Sequence, residues 1–241
     1  MPNGFNGLFE CPRDNDLIRH VIGHIDFSAA LEPFADPALI DRACDEAVKY
    51  GFCAVAVYPM AIPQVVARLK GTEVRSEIAL GFPGGCHLTE VKLKEAEMAL
   101  NQGVQEIDMV MNLHAFKARD YKYVEADAAS IVKLAGEAGV RVKLIIETGY
   151  LDDEEKVTAA KIAISSGCEF VKTCTGVNPG RGSVHDTLLL KSVVGDQIKI
   201  KTSGGIASIE DAYGMMLAGA TRSAGRFNMS DHLAKIGYVK K

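Results

Sequence analysis

Short apolar runs alternate with longer amphipathic stretches along this chain, and the connections between them are brief. A first strand is predicted over 20–26. A helix follows from Pro37, with Leu39, Ile40, Ala43, Ala47 and Val48 recurring at helical spacing. Further strands are predicted over 52–57, 74–81, 106–112, 140–148, 169–173, 198–202 and 221–225. Helices are predicted over 62–69, 89–102, 121–138, 153–165, 184–194, 209–217 and 230–236, with Thr89 as an N-cap and Gly167 as a helix stop. Strands separated by covering helices must pair in parallel. Eight such βα units in 241 residues predict an α/β protein, a closed (β/α)8 TIM barrel. The rival is an open doubly wound sheet, which needs a glycine-rich first turn. Phe27-Ser28-Ala29-Ala30 is not one. With no linker or low-complexity stretch, 1–241 is expected to be a single domain, with a short N-terminal extension over 1–19 and a mobile tail over 237–241.

Alternation along the strands separates two faces. In 198–202 the isoleucines Ile198 and Ile200 share one face while Lys199 and Lys201 share the other. Lys172 shares a face with Phe170, Asp108 with Val110 and Asn112, and Lys143 with Ile145 and Glu147. The predicted barrel interior therefore holds Asp108, Lys143, Glu147, Lys172, Lys199 and Lys201. A lysine is costly to bury, so several inside one barrel point to a site rather than to a solvated face. Barrel enzymes carry their chemistry at the C-terminal ends of the strands, where Lys172 and Lys201 fall. Lys143 and Lys199 lie deeper and are expected to form ion pairs with Glu147. At pH 7 only about one free lysine in 2,500 is neutral, but a dry pocket and a neighbouring ammonium both favour the neutral amine. Such an amine attacks carbonyls and forms Schiff bases. The bland alternative is an internal salt-bridge network.

Composition narrows the partners. Hydrophobic content of 48%, charged content of 24% and a net charge of −4 suit a soluble globular protein and argue against nucleic acid. No run of eighteen apolar residues is present and the N-terminus shows no export signal, so neither membrane insertion nor secretion is expected. The six cysteines form no C-x-x-C pair, which fits reduced thiols in the cytoplasm. His24 lies near Asp26 without a third ligand, so no metal site is expected.

Six stretches carry a family likeness: Gly81-Phe82-Pro83, Thr89-Glu90-Val91-Lys92, Glu106-Ile107-Asp108-Met109-Val110, Ile146-Glu147-Thr148, Phe170-Val171-Lys172-Thr173 and Lys201-Thr202-Ser203-Gly204-Gly205-Ile206. In this order the chain resembles deoxyribose-phosphate aldolase, the Schiff-base aldolase family of deoxynucleoside breakdown. The resemblance implies a class I lyase without metal or cofactor. Its reaction is the reversible cleavage of 2-deoxyribose 5-phosphate to glyceraldehyde 3-phosphate and acetaldehyde. By the same resemblance Lys172 forms the Schiff base, Lys201 is the neighbouring ammonium, and Asp108 assists proton movement. Asp26 is expected to meet a substrate hydroxyl or a lysine. Gly176, Gly204 and Gly205 offer approachable backbone to an anionic group, with the helix opened by Ser208 as a further cradle.

The chain also departs from the family. Ile25-Asp26-Phe27-Ser28-Ala29 lacks most of the usual threonines, and Ala56 replaces a frequent cysteine. Arg226-Phe227 stands where the phosphate-loop serines are expected. Arginine grips phosphate or carboxylate, so Arg226 keeps an anionic sugar or aldehyde as the expected substrate. Two alternatives remain: a Schiff-base or transaldolase-like barrel for another anionic sugar, and an inactive sugar-phosphate-binding barrel. Tyr238, on the expected tail, is a candidate proton relay by resemblance. A homodimer is the default assembly for such barrels.

Overall fold

The computed structural model describes residues 15–240. Eight strands, β1 Ile25–Phe27, β2 Ala54–Val57, β3 Arg75–Leu80, β4 Glu106–Val110, β5 Arg141–Ile145, β6 Phe170–Lys172, β7 Lys199–Thr202 and β8 Arg222–Gly225, close into one parallel barrel in sequence order. The helices are α1 Asn15–Ile22, α2 Pro37–Tyr50, α3 Ile62–Leu69, α4 Thr89–Asn101, α5 Leu113–Lys117, α6 Tyr121–Glu137, α7 Asp153–Ser165, α8 Val184–Val194, α9 Ile209–Leu217 and α10 Phe227–Lys235. The architecture is the TIM barrel anticipated from the alternation of elements. No helix among the described residues is long and apolar enough to cross a membrane.

Local chemistry explains the element ends. Asp36 caps α2 ahead of Pro37, Asp152 with Glu155 forms a capping box on α7, and Ser208 with Asp211 does the same on α9. Thr89 is not a cap. It is the first residue of α4, and its hydroxyl donates to Asp127 on α6 at 2.8 Å. Outward strand residues such as Ile78, Ile107, Leu144, Val171 and Ile200 are buried against the helices.

Three expectations change. His20–Ile22, read as strand, are the end of α1, and the first strand begins only at Ile25. The last helix starts at Phe227, so Arg226 and Phe227 open a helix. Of the expected extension, 1–14 lies outside the described residues, and α1 packs on α9. Lys241 is also outside, but Tyr238 is buried in the core rather than on a solvated tail. Lys240 lies against Gly51 and reaches Glu73 at 3.7 Å, which puts Tyr238 at the N-terminal end of the barrel, opposite the strand ends that face the chemistry. Tyr238 is thus placed away from the strand ends where Lys172 and Lys201 lie.

Between α4 and α6 an ion pair is fully buried. Lys92 Nζ meets Asp127 Oδ2 at 2.6 Å and donates to the Val110 carbonyl at 3.2 Å. Removing one partner of such a pair strands a charge in a dry environment. Lys92→Met is expected to cost about 3–5 kcal/mol in urea unfolding. The double variant with Asp127→Leu should recover part of that loss. Additive losses would show that the two charges do not depend on each other.

Candidate active site

Strand register decides which charges meet. Lys172 on β6 lies beside Lys201 on β7, which lies beside Arg222 on β8, and Asp108 on β4 lies beside Lys143 on β5. Their inward side chains join those of Asp26, Glu77 and Glu106 in one buried network. At its floor Glu106 binds Arg75 at 2.8 Å, Lys143 at 2.6 Å and Arg222 at 3.2 Å. Arg222 also bonds Asp26. Higher up, Lys143 meets Glu77 at 2.6 Å and Asp108 at 3.0 Å. Lys201 meets Asp26 at 2.6 Å, Glu77 at 2.6 Å and Asp108 at 2.7 Å. At the mouth Lys172 Nζ binds Asp108 Oδ2 at 2.5 Å, the same oxygen that Lys201 uses.

The electrostatics separate the two site lysines. Burial depresses Lys172 below the usual lysine range. Asp108 works against that shift, and the Lys201 charge reinforces it. Burial also works against Lys201, yet Asp108, Asp26 and Glu77 hold it above the usual range, so it stays an ammonium. Burial opposes the Asp108 anion, but Lys143, Lys172 and Lys201 hold its carboxyl well below the usual carboxylate range. One amine is thus biased toward its neutral form beside a fixed cation and a fixed anion, the combination that nucleophilic amine chemistry needs.

Lys172 opens into a cavity of about 80 Å³ lined also by Ser28, Gly176, Gly204, Gly205, Ala224 and Arg226. Gly204 and Gly205 both take left-handed backbone, φ +88 and +79, which makes a tight turn at the end of β7. A side chain at Gly204 would meet the backbone of Arg181 at 3.2 Å. Arg226 is half exposed and its guanidinium pairs with Glu32. The amides of Ala207 and Ser208 are taken by Asp211, so the start of α9 is a weaker anion cradle than its sequence suggests.

Asp26, Glu77 and Glu106 lie close enough to share a cation. Lys143 Nζ already stands 3.6, 2.6 and 2.6 Å from them and supplies that charge. In a second group, Asp153, His185 and Asp186, Lys156 bridges the two aspartates at 3.0 and 2.8 Å.

The structure brings Lys172, Lys201 and Asp108 into direct contact and gathers Gly176, Gly204, Gly205 and Arg226 around the cavity of Lys172. Asp26 is a lysine and arginine partner beneath the cavity and does not line it. Lys199 is not interior. As the first residue of β7 it lies at the N-terminal edge, half exposed, and pairs with Glu169. Glu147 is buried but, among the described residues, pairs with no interior lysine. β5 ends at Ile145, and the left-handed Glu147, φ +55, accepts from the Thr175 amide at 3.2 Å and from Asn178 Nδ2 at 3.0 Å. Phe227 packs under the Arg42 guanidinium, on the outside of the barrel. Sequence reasoning missed Glu77, Glu106 and Arg222. The alternation applied to β3 and β8 carries the signal, since Glu77 shares a face with Ala79 and Arg222 with Ala224.

If the Lys201 charge depresses Lys172, Lys201→Met should move the cyanate labelling of Lys172 to higher pH, while Lys201→Arg should move it less. Mass spectrometry of the labelled peptide across pH 6–10 is the measurement. An unchanged profile in Lys201→Met would show that burial alone controls Lys172.

Comparison with known proteins adds a separate line. The sequence profile of the DeoC/LacD family aldolases matches residues 21–230. A deoxyribose-phosphate aldolase of Thermococcus kodakarensis is 44% identical over 206 residues, covering 85% of this chain and 92% of that protein. Among solved structures, an aldolase designated QR15 superposes with a TM-score of 0.84 at 34% identity, covering 90% of this chain and 97% of its own. A deoxyribose phosphate aldolase from Aeropyrum pernix, described as a tetramer, gives a TM-score of 0.82 at 27% identity over 93% of this chain and 100% of its own.

Proposed function

The chain belongs to the DeoC/LacD family and is a class I aldolase, and we propose that it cleaves 2-deoxy-D-ribose 5-phosphate through a Schiff base on Lys172. The observation that carries this reading is Lys172 at the cavity, depressed by burial and bonded to the Asp108 oxygen that also anchors Lys201.

In this reading Lys172 Nζ attacks the C1 aldehyde of the open-chain sugar, and water leaves to give a protonated imine. The imine withdraws electrons as the C2–C3 bond breaks. The C3 hydroxyl loses its proton and departs as the aldehyde of glyceraldehyde 3-phosphate. The remaining enamine takes a proton at C2, and hydrolysis of the imine frees acetaldehyde and Lys172. Asp108, in contact with both lysines, passes these protons, with Lys201 fixing its position and charge. Asp26 serves by holding Lys201. The phosphoryl group is placed against Gly176, Gly204 and Gly205, where it competes with Glu32 for the Arg226 guanidinium.

A cytoplasmic setting and a homodimer complete the reading. The cysteines Cys44, Cys53, Cys86, Cys168 and Cys174 are free thiols. Met60, Val91 and Met98 expose apolar side chains around one surface hollow, which suits contact with a second copy.

Incubation with deoxyribose 5-phosphate followed by borohydride should leave a reduced adduct on Lys172, located by peptide mass spectrometry. Lys172→Ala should lower kcat by about 10⁴-fold or more. An adduct without turnover of this sugar would shift the reading to another anionic aldehyde, and no adduct would end it. Because Lys172 must be neutral, kcat/KM should fall as pH drops through its depressed pKa, which lies below the ordinary lysine range. Arg226→Ala should raise KM for the phosphorylated sugar by roughly tenfold while leaving that for unphosphorylated deoxyribose unchanged. Equal effects on both sugars would remove Arg226 from the anion site.

A further inference from the structure

Glu77 is fully buried in the middle of β3 and takes no part in the reaction as described above. Its Oε1 meets Lys201 Nζ and its Oε2 meets Lys143 Nζ, each at 2.6 Å. Facing it are Asp26 from β1, Asp108 from β4, Lys143 from β5 and Lys201 from β7. Lys172 on β6, Glu106 on β4 and Arg222 on β8 complete the shell, and Arg75 on its own strand turns to Glu106. The Glu77 and Asp108 carboxyls share the same two cations, Lys143 at 2.6 and 3.0 Å and Lys201 at 2.6 and 2.7 Å. Two anions that divide two cations compensate each other poorly in a buried space, and a proton on one of them relieves the repulsion.

Position decides which carboxyl holds it. Asp108 is contacted by Lys143, Lys172 and Lys201, and Glu106 by Lys143, Arg222 and Arg75. Asp26 is contacted by Lys201, Arg222 and Lys143. Among the described residues Glu77 meets only Lys143 and Lys201, and it shares both with these other anions. Burial, then Asp108 and Asp26, push its carboxyl up to about 8, while the other three carboxyls are held below the usual range.

Charge balance leads to the same assignment. Four buried carboxylates face four buried cations when Lys172 is charged. A neutral Lys172 leaves one anion in excess inside a poorly solvated barrel, and a proton on Glu77 removes that excess. Arg75 and Arg141 reach Glu106 only from the floor, with side chains 36% and 35% exposed, where water screens them.

We propose that Glu77 is a positioning residue of this active site, holding a proton so that Asp108, which shares Lys143 and Lys201 with it, remains the anion that Lys172 and Lys201 both bond. The proposal rests on Lys172 as the nucleophile. A path of contacts links the two groups: Lys172 Nζ to Asp108 Oδ2 at 2.5 Å, Asp108 Oδ2 to Lys201 Nζ at 2.7 Å, and Lys201 Nζ to Glu77 Oε1 at 2.6 Å. Along it one N–H bond of the Lys172 ammonium is exchanged for one O–H bond on Glu77, leaving a free amine and a neutral carboxyl with no net change of charge. When Glu77 ionises, its anion repels Asp108 and favours the charged form of Lys172, so activity declines on the alkaline side.

The test compares wild type, Glu77→Gln and Glu77→Met by kcat and KM for deoxyribose 5-phosphate from pH 6 to 10, with infrared spectra of each protein. Glutamine reproduces the neutral donor and methionine does not. Glu77→Gln should stay within about threefold of wild type at pH 7 and lose the ionisation near 8 from its profile. Glu77→Met should lose on the order of tenfold in kcat with little change in KM. Wild type should show the C=O band of a protonated carboxyl at pH 7 that vanishes above pH 8 and is missing in both variants. Equal impairment of Gln and Met, full activity of Met, or an unchanged alkaline profile in Gln would each overturn the proposal. If neither variant folds, the wild-type spectrum decides, and absence of the carboxyl band at pH 7 refutes it. That band does not depend on which sugar is turned over, so a failed substrate assignment leaves this result readable.

Discussion

A single oxygen, Asp108 Oδ2, is held by two lysines on neighbouring strands. The Lys201 ammonium and the Lys172 amine both bond it in a buried space, and the oxygen can serve both only if β4, β6 and β7 curve around a closed barrel. An open sheet of the same strands would leave β4 and β7 on one face but too far apart to share a carboxylate. Closure is therefore the condition for the chemistry, and the apolar outer faces of the strands supply the driving force for it.

Filling a barrel with charge works against stability. Isolated buried ions cost several kcal/mol each, and mutual attraction offsets this only where hydrogen bonding is nearly complete. The interior meets that condition by layering. Arg222 and Glu106 close the floor, Lys143 and Lys201 cross-link Asp26, Glu77 and Asp108, and Lys172 stands at the top with one carboxylate contact. Of Lys143, Lys172, Lys201 and Arg222, the one with the fewest carboxylate contacts, Lys172, is the one that opens into the cavity. Reactivity at Lys172 thus follows from incomplete compensation at the edge of an otherwise compensated network.

The loops above the network obey different constraints. The Gly204-Gly205 turn needs left-handed backbone in a crowded place, and buried Glu147 ties down the segment after β6 by binding the Thr175 amide and Asn178. Glu147 also shows where alternation fails as a guide. Its parity with Lys143 placed it inside the barrel, but the strand stops two residues earlier and the chain turns away. Lys199 shares parity with Lys201 and is exposed for a related reason: a strand's first residue can lie outside the layer its face implies.

The linear sequence, through its periodicity alone, determined the eight βα units and the inward side of Asp108, Lys172 and Lys201, because alternation and helical spacing are local properties of the backbone. It also carried the family motifs, since these cluster at strand ends. Only the tertiary structure decided who pairs with whom. Glu77, Asp108 and Lys201 come from distant parts of the chain, and their contacts depend on register around a closed barrel rather than on spacing. The state of each charge followed from that closure as well: burial depends on all eight strands at once, and each proton's preference depends on how many cations reach one carboxylate.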